Sequence, residues 1–210
     1  MCPAGTTRAP DPAPRVIPFI GLTGGIGAGK STALAALERL GAAVISTDGI
    51  VHELYGTAEV RDAVIDRFGA DIARDGVVNR PALAALVFAS AEERGWLEGL
   101  LWPLVGARML AWRQQLEHRS PPPRAAVVEV PLLFEAGMGK SFDATIAIVA
   151  DEPVRVRRAG SRGHTAVDER AARQLSQEEK AAQATYVVRN DGSSAELESA
   201  LSAALDKLES

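Results

Sequence analysis

The sequence has a single cysteine, few aromatic residues and no excess of basic charge, and each of these absences excludes a class of protein. Cys2 is the only cysteine among 210 residues, so no intramolecular disulfide can form, and we expect a cytoplasmic location. The 23 basic and 27 acidic side chains give a net charge of −4. Because phosphate-backbone binding normally shows as a basic excess, a nucleic-acid partner is not expected. Nor is a membrane partner, since no apolar run approaches the roughly 18 residues that span a bilayer.

Proline is concentrated near the amino terminus rather than spread along the chain. Five of the twelve prolines lie within the first 18 residues, in a stretch without the continuous apolar segment of a secretory signal. We therefore expect residues 1–15 to form a disordered leader.

Short apolar runs alternate with helical patterns along the rest of the chain. Such alternation is typical of an α/β fold, in which helices cover both faces of a parallel sheet. The five predicted strands are residues 19–22, 42–46, 125–130, 144–149 and 185–189. Residues 57–119 interrupt the alternation with a long, mostly helical stretch, which we expect to be an insertion over the carboxyl edge of the sheet, where open α/β sheets bind ligands. Residues 16–56 and 120–210 would then form the core.

The strongest local signal is a glycine-rich loop directly after the first predicted strand. Residues 24–31 read GGIGAGKS and fit the pattern G-x-x-x-x-G-K-[ST] of a phosphate-binding loop. Glycines let the backbone turn a row of amides toward an anion at a helix N-terminus. Lys30 would reach the β- and γ-phosphates of a nucleotide, Ser31 would bind Mg²⁺, and Thr32 would add a hydroxyl near the α-phosphate. The predicted nucleotide-binding residues of the loop are Gly24, Gly25, Ile26, Gly27, Ala28, Gly29, Lys30, Ser31 and Thr32.

Arginines crowd into the segment after the fourth predicted strand. Arg155, Arg157, Arg158 and Arg162 lie within eight residues, and Arg170 and Arg173 follow. Planar guanidinium groups suit the charge that develops in phosphoryl transfer, so residues 153–173 could form a lid over bound phosphates. A solvated basic helix face paired with nearby glutamates would give the same pattern.

Two acids follow predicted strands at the edge where the loop opens. Asp48 could accept the proton of an attacking hydroxyl, or it could cap the helix that follows it. Glu129 ends the third strand, where a Mg²⁺-associated acid is expected, and is a better candidate than Glu135. Between these two glutamates, Leu133 and its apolar neighbours are candidates for core packing and for contact with a substrate.

Five segments of the chain together resemble the dephospho-coenzyme A kinase family, over nearly all of residues 17–205. They are IGLTGGIGAGKST at 20–32, VISTDGIVHELY at 44–55, DGVVNRPALAALVF at 75–88, VVEVPLLFEAGM at 127–138 and RQLSQEEKAAQATYVVRNDGS at 173–193. The resemblance implies a five-stranded parallel core, a helical substrate domain and a mobile lid. It also implies transfer of the γ-phosphate of ATP to the ribose 3′-hydroxyl of dephospho-coenzyme A, the last step of coenzyme A biosynthesis.

The resemblance also assigns roles to individual residues. Asp48 matches the proposed catalytic base, and either Arg158 or Arg162 matches the lid arginine. Arg80 matches an arginine of the insertion, and Asn190 and Gly192 lie where the family's loop lines the adenine pocket of ATP. Two positions differ from many relatives: His52 replaces an arginine, and Trp102 replaces a histidine before Pro103. Trp102 thereby supplies a stacking surface, although core packing is the simpler role for it as for Trp96 and Trp112.

Two other functions share parts of this pattern. A kinase for another small acceptor, such as a nucleoside monophosphate or shikimate, would have the same loop and lid. A nucleotide-dependent regulator would bind ATP without acceptor-dependent turnover. Asp48 beside the loop and the substrate-sized insertion favour a kinase over a regulator, and they leave the identity of the acceptor open.

Overall fold

Five parallel strands form the central sheet of the protein, whose structure is a computed structural model that describes residues 16–74, 76–160 and 174–209. The strands in chain order are β1 (Phe19–Gly24), β2 (Ala43–Ser46), β3 (Ala73–Arg74), β4 (Val77–Val78), β5 (Ala126–Glu129), β6 (Ala144–Val149) and β7 (Tyr186–Arg189). The sheet has the order β2-β5-β1-β6-β7, and β3 pairs with β4 in a separate antiparallel hairpin. Each of the five predicted strands coincides with a strand of the sheet, so the α/β prediction is confirmed. The predicted leader lies outside the described residues.

The helices in the described residues are α1 (Lys30–Arg39), α2 (Thr47–Leu54), α3 (Ala58–Phe68), α4 (Arg80–Ala89), α5 (Ala91–Glu117), α6 (Glu152–Gly160), α7 (Gln177–Gln183) and α8 (Ser194–Leu208). Several begin at a side chain that accepts a hydrogen bond from the first turn: Thr57 for α3, Asn79 for α4 and Ser90 for α5. Caps of this kind satisfy backbone donors that have no partner within the helix. In the part of the chain described, no helix is both long enough and apolar enough to cross a membrane.

Apolar side chains cover both faces of the sheet. Ile20 and Leu22 of β1 point to the face that α1 and α8 cover, where Leu37 and Leu201 are fully buried. Phe19 of the same strand belongs to the other core, which packs against the helices of residues 57–119. Strands buried on both faces read as continuous apolar runs, which is why the sequence showed them without alternation.

Residues 57–119 contain α3, the β3–β4 hairpin, α4 and the 27-residue helix α5. The mostly helical content is as predicted, while the role of these residues as an acceptor-binding insertion stays a prediction. Pro103 lies inside α5, although proline normally breaks a helix. Leu97, Leu101, Val105 and Met109 continue through this point as one buried stripe, so packing against the core holds the helix together.

The carboxyl ends of the sheet strands lie at one edge and bring separate segments together. Ser46 of β2 is in register with Glu129 of β5, which is in register with Leu22 of β1. The chain leaves this edge into the glycine-rich loop after β1, into α2 after β2 and into α6 after β6. This arrangement positions the candidate site.

Candidate active site

The glycine-rich loop connects β1 to α1 and ends at a helix N-terminus without an acidic residue in its first turn. Gly29, the residue before α1, has the left-handed φ of +95°, and a Cβ there would collide with the side-chain amide of Asn190. Gly27 has φ +77°, and its Cβ would lie 2.5 Å from the carbonyl oxygen of Arg155. Only glycine therefore fits at these two positions, and the helix dipole favours an anion at the loop.

Lys30 is the first residue of α1, and its amine lies over the loop. Its Nζ donates to the carbonyl oxygens of Gly24 at 2.8 Å and Gly25 at 3.2 Å. Ser31 and Thr32 follow in the first turn, and both are exposed. The loop thus combines one cation and two hydroxyls beside the exposed end of a helix. These are the groups that bind the phosphates and Mg²⁺ of a nucleoside triphosphate.

Polar contacts from α6 and from Asn190, which directly follows β7, support the loop backbone. Asn190, which is 5% exposed, donates from its side-chain amide to the carbonyl of Ala28 at 2.8 Å. Arg155 Nε donates to the carbonyl of Ile26 at 3.1 Å, and Arg158 Nη1 donates to the carbonyl of Asn190 at 2.9 Å. The family resemblance predicts Asn190 near the adenine of ATP, but no sequence signal indicates that its amide holds the loop.

The predicted arginine segment divides into two environments. Arg155 and Arg158 turn toward the loop, whereas Arg157 is exposed. Arg157 fits the solvated face, whereas Arg155 and Arg158 make contacts that a solvated face does not predict. The lid stays a prediction, and its residues 161–173 lie outside the described part of the chain. Arg162, the other candidate lid arginine, lies outside the described residues.

Asp48 lies in the first turn of α2 and is exposed. The helix starts at Thr47, and its N-cap is Ser46, whose Oγ accepts from the backbone N–H of Gly49 at 3.0 Å. The alternative role of Asp48 as the cap is therefore wrong. In the described part of the chain Asp48 has no hydrogen-bond partner, and a carboxylate in this setting is open to a substrate hydroxyl.

Glu129 ends β5 beside the loop and beside Asp48. Burial raises the pKa of Glu129, the negative charge of Asp48 raises it further, and the ammonium of Lys30 lowers it. The register of Ser46 with Glu129 places the start of α2, which carries Asp48, beside the end of β5 at the carboxyl edge. A half-buried carboxylate next to a second carboxylate suits a bound cation.

Arg80 is the first residue of α4, and its guanidinium contacts the Nδ1 atom of His52 on α2. Burial raises the pKa of Tyr55 on the same side, and the positive charge of Arg80 opposes that shift. His52 stands where many relatives have an arginine, and it lies against Arg80 of α4. Arg80 therefore keeps a positive charge at this position.

Leu133 is fully buried, and its Cδ1 lies 3.1 Å from the position of a Cβ on Gly21. It offers no surface to an acceptor in this arrangement. The prediction that Leu133 contacts the substrate is therefore corrected to core packing beneath the site.

Two charged residues that the sequence did not single out as a pair meet next to Leu133. Lys180 of α7 is fully buried, and its Nζ lies 2.9 Å from Oε1 of Glu135 and donates to the carbonyl of Pro131 at 2.7 Å. Glu135 Oε1 also accepts from the backbone N–H of Leu175 at 2.8 Å. The pair thereby joins α7 to the corner after β5. Nothing in the local pattern distinguishes a buried lysine from a solvated one.

The remaining predicted residues are Gly192 and the three tryptophans. Gly192 lies in the loop between β7 and α8, where a Cβ would collide with the carboxylate of Glu196. Trp96 packs edge-on against Phe68, and Trp112 packs against the core, as expected for structural residues. Trp102 differs from them because it is 56% exposed.

Among the described residues, no three His, Cys, Asp or Glu side chains are grouped as a metal site. Mg²⁺ usually binds one or two protein oxygens together with substrate phosphates and water. The exposed hydroxyl of Ser31 and the carboxylate of Glu129 fit that requirement.

Comparison with known proteins gives consistent matches. A family model described as Dephospho-CoA kinase matches residues 18–196. The Dephospho-CoA kinase of Deinococcus radiodurans is 36% identical over 207 residues, which cover 97% of this chain and 99% of the relative. The Dephospho-CoA kinase of Mycolicibacterium paratuberculosis is 42% identical over 184 residues; the match covers 85% of this chain and only 44% of that longer relative.

Solved structures give the same fold. The crystal structure of TT1252 from Thermus thermophilus superimposes with a TM-score of 0.74 and 35% identity, covering 92% of this chain and 99% of that one. Dephospho-CoA kinase from Campylobacter jejuni superimposes with a TM-score of 0.66 at 24% identity, covering 90% of this chain and 96% of that one, and shows the fold alone.

Proposed function

The chain belongs to the dephospho-CoA kinase family, and we propose that it transfers the γ-phosphate of ATP to the ribose 3′-hydroxyl of dephospho-CoA, with Asp48 as the base. Kinase activity in CoA biosynthesis follows from the family. The roles of individual residues, the requirement for Mg²⁺ and a cytoplasmic location are our proposals.

The observation that carries the proposal is the meeting of Asp48, Glu129 and Lys30 at the carboxyl edge of the sheet. Ser46, the residue before α2, is in register with Glu129, which is in register with Leu22 of the strand that leads into the loop. Ser46 rather than Asp48 caps α2, so the Asp48 carboxylate is not used as a cap. A phosphate-binding cation and an available carboxylate at one edge of the sheet are what transfer from ATP to a hydroxyl requires.

The loop and the N-terminus of α1 bind the β- and γ-phosphates in this proposal. Lys30 exchanges its bonds to the carbonyls of Gly24 and Gly25 for bonds to phosphate oxygens. Asn190 and Arg155 keep the loop backbone in shape through Ala28 and Ile26, so the amides are already oriented when ATP arrives.

Ser31 and Glu129 would hold Mg²⁺ on the ATP side of the site. The ion would neutralise charge on the β- and γ-oxygens. Metal binding needs an ionised carboxylate, so a bound ion would favour the ionised form of Glu129 over the protonated form that burial favours.

Asp48 orients the 3′-hydroxyl and accepts its proton as the oxygen attacks. The bond from O3′ to the γ-phosphorus forms, the bond from that phosphorus to the β,γ-bridging oxygen breaks, and ADP leaves with the electron pair. Arg80, with His52 beside it, supplies positive charge for the 5′-diphosphate of the acceptor. Arg158 and Arg162 are the candidates for the charge on the transferred group.

An acceptor panel tests this function. ADP release by the full chain is measured with ATP, Mg²⁺ and one of three acceptors: dephospho-CoA, a nucleoside monophosphate or shikimate. We expect dephospho-CoA to give the highest kcat/KM and a product one phosphate heavier, and we expect 3′-deoxy-dephospho-CoA to give none. Equal ADP release with and without acceptor would contradict the proposal, as would a preference for either other acceptor.

A further inference from the structure

A cavity of about 200 Å³ lies between α2, α4 and α5, and the proposed roles of the site do not use it. Its floor is apolar and includes Val51 and the buried Leu97, and the exposed Trp102 and Phe88 stand at its rim. Arg94 and Glu98, one turn apart on α5, are its charged lining residues. Trp102 is 56% exposed and Phe88 37%, and an exposed aromatic beside a cavity is a feature that packing of the core does not explain.

From this cavity we infer a binding site for the adenine ring of the acceptor, with Trp102 as the stacking residue. The inference rests on the proposed function, because it takes the 3′-hydroxyl of the acceptor to lie at Asp48.

The position of the cavity along α2 favours the adenine over other parts of the acceptor. Asp48 and Val51 are three residues apart in α2, so they lie on the same face, about 4.5 Å apart along the axis. The adenine is attached to the same ribose that carries the 3′-hydroxyl. The pantetheine arm begins only beyond the 5′-diphosphate, on the far side of the groups that Arg80 would bind.

The size of the cavity favours the same group. Pockets that enclose a whole drug-sized ligand measure about 300–1,000 Å³, so about 200 Å³ is room for one rigid ring system. A planar purine has no rotatable bonds within its ring system that binding would have to order, whereas the flexible arm would have to fold to enter such a space.

The lining chemistry matches a purine as well. The flat face of Trp102 suits stacking against a base. Stacking does not distinguish strongly between bases, because every base offers a π-face. Arg94 carries donors for the ring nitrogens of adenine, and Glu98 carries acceptors for its exocyclic amino group. An apolar floor with one donor and one acceptor at the rim is typical of a site for a neutral heterocycle.

Steady-state kinetics of three variants test the stacking role. Trp102→Ala removes the ring, Trp102→Phe keeps an aromatic face, and Leu110→Ala removes an equally exposed apolar side chain of α5 that does not line the cavity. We expect Trp102→Ala to raise KM for dephospho-CoA about thirtyfold, the middle of the range for loss of one stacked base. KM for ATP should be unchanged, Trp102→Phe should recover most of the loss, and Leu110→Ala should have no effect. An unchanged KM for dephospho-CoA in Trp102→Ala would overturn the inference.

Two fragments of the acceptor identify the group that Trp102 contacts. With ATP saturating, 3′-deoxyadenosine 5′-monophosphate and 4′-phosphopantetheine are each tested as inhibitors competing with dephospho-CoA. We expect Trp102→Ala to weaken inhibition by the adenosine fragment and to leave inhibition by 4′-phosphopantetheine unchanged. Weakened inhibition by 4′-phosphopantetheine alone would overturn the inference in favour of the pantetheine arm.

A second copy of the chain is the remaining possible occupant, and sedimentation of the same variants tests it. A change of association state in Trp102→Ala without a change in KM for dephospho-CoA would overturn the inference. Failure of the proposed function is distinguishable, because it would appear in the unmodified chain as absence of dephospho-CoA-dependent ADP release.

Discussion

Asn190 and Ala28 are 162 residues apart in the chain, and the side-chain amide of Asn190 donates a 2.8 Å hydrogen bond to the carbonyl of Ala28. The bond is buried and crosses from the end of β7 to the loop that would bind ATP. It follows that a residue directly after the last strand holds the backbone of a loop near the beginning of the chain.

Asn190→Ala should impair ATP binding through the loop. The substitution leaves the carbonyl of Ala28 without its donor, which costs about 1–3 kcal/mol for a buried polar group, and we expect KM for ATP to rise. Ser193→Ala is the matched control, because it removes the N-cap of α8 in the same loop at a cost of about 0.5–2 kcal/mol. Urea unfolding and ATP titration measure both effects. An equal rise of KM in the control would show that lost stability alone is responsible.

Gly29→Ala should abolish ATP binding, because alanine strains a φ of +95° and its Cβ collides with Asn190. Gly106→Ala in α5 provides the contrast, since a Cβ there meets no atom within 4 Å and φ is not positive. We expect that control to gain about 0.5–1 kcal/mol in stability and to bind ATP normally. Calorimetric titration with ATP is the measurement, and normal affinity of Gly29→Ala would contradict the account of the loop.

The strands and the loop could be predicted from sequence because their signals are local. Residues 144–149 are apolar throughout and form β6, and GGIGAGKS has the same spacing in any fold. The bonds that hold the site together could not be predicted, because their partners come from distant segments. Asn190 with Ala28 and Lys180 with Glu135 become neighbours only when the sheet order is known. The β3–β4 hairpin had a local signal in Asp75-Gly76, a common hairpin dipeptide, which the helical reading of this region missed.

Lys180→Met should strongly destabilise the protein. The substitution leaves the buried carboxylate of Glu135 without its cation, and breaking a buried pair costs about 3–5 kcal/mol. Replacing both residues, in Lys180→Met with Glu135→Leu, should recover at least half of this loss because no uncompensated charge remains. Urea unfolding of the single and double variants measures these stability losses. Additive losses in the double variant would mean that the two charges do not act as a pair.

Glu129→Gln should stabilise the protein when nucleotide and Mg²⁺ are absent. Burial raises the folded-state pKa of Glu129 above its usual value of 4.5. The protonated carboxyl group is therefore tolerated in the fold at pH values below 4.5, and stability is lost as pH rises through the folded-state pKa and the group ionises. The amide cannot ionise, so the Tm gain of Glu129→Gln should grow between about pH 5 and pH 8. Thermal scans across this range measure the gain. A gain that shrinks toward high pH would contradict the burial of this carboxyl group.

The same variant tests the proposed Mg²⁺ ligand. Glu129→Gln should need more Mg²⁺ for half-maximal activity, because a neutral amide binds the ion less well than a carboxylate. We expect no such change in the Mg²⁺ requirement of Glu135→Gln, because Glu135 pairs with Lys180 instead. An unchanged Mg²⁺ requirement in Glu129→Gln would remove Glu129 from the metal site.

Turnover of Asp48→Asn, measured together with its affinity for ATP, tests the central claim most directly. The amide keeps the size of the side chain but cannot accept the proton of the 3′-hydroxyl, so kcat should fall about 10²–10⁴-fold while the Kd for ATP stays the same. Asp62→Asn makes the same chemical change at a surface ion pair with Arg61 and should leave kcat unaltered. Near-full turnover of dephospho-CoA by Asp48→Asn would contradict the assignment of Asp48 as the base.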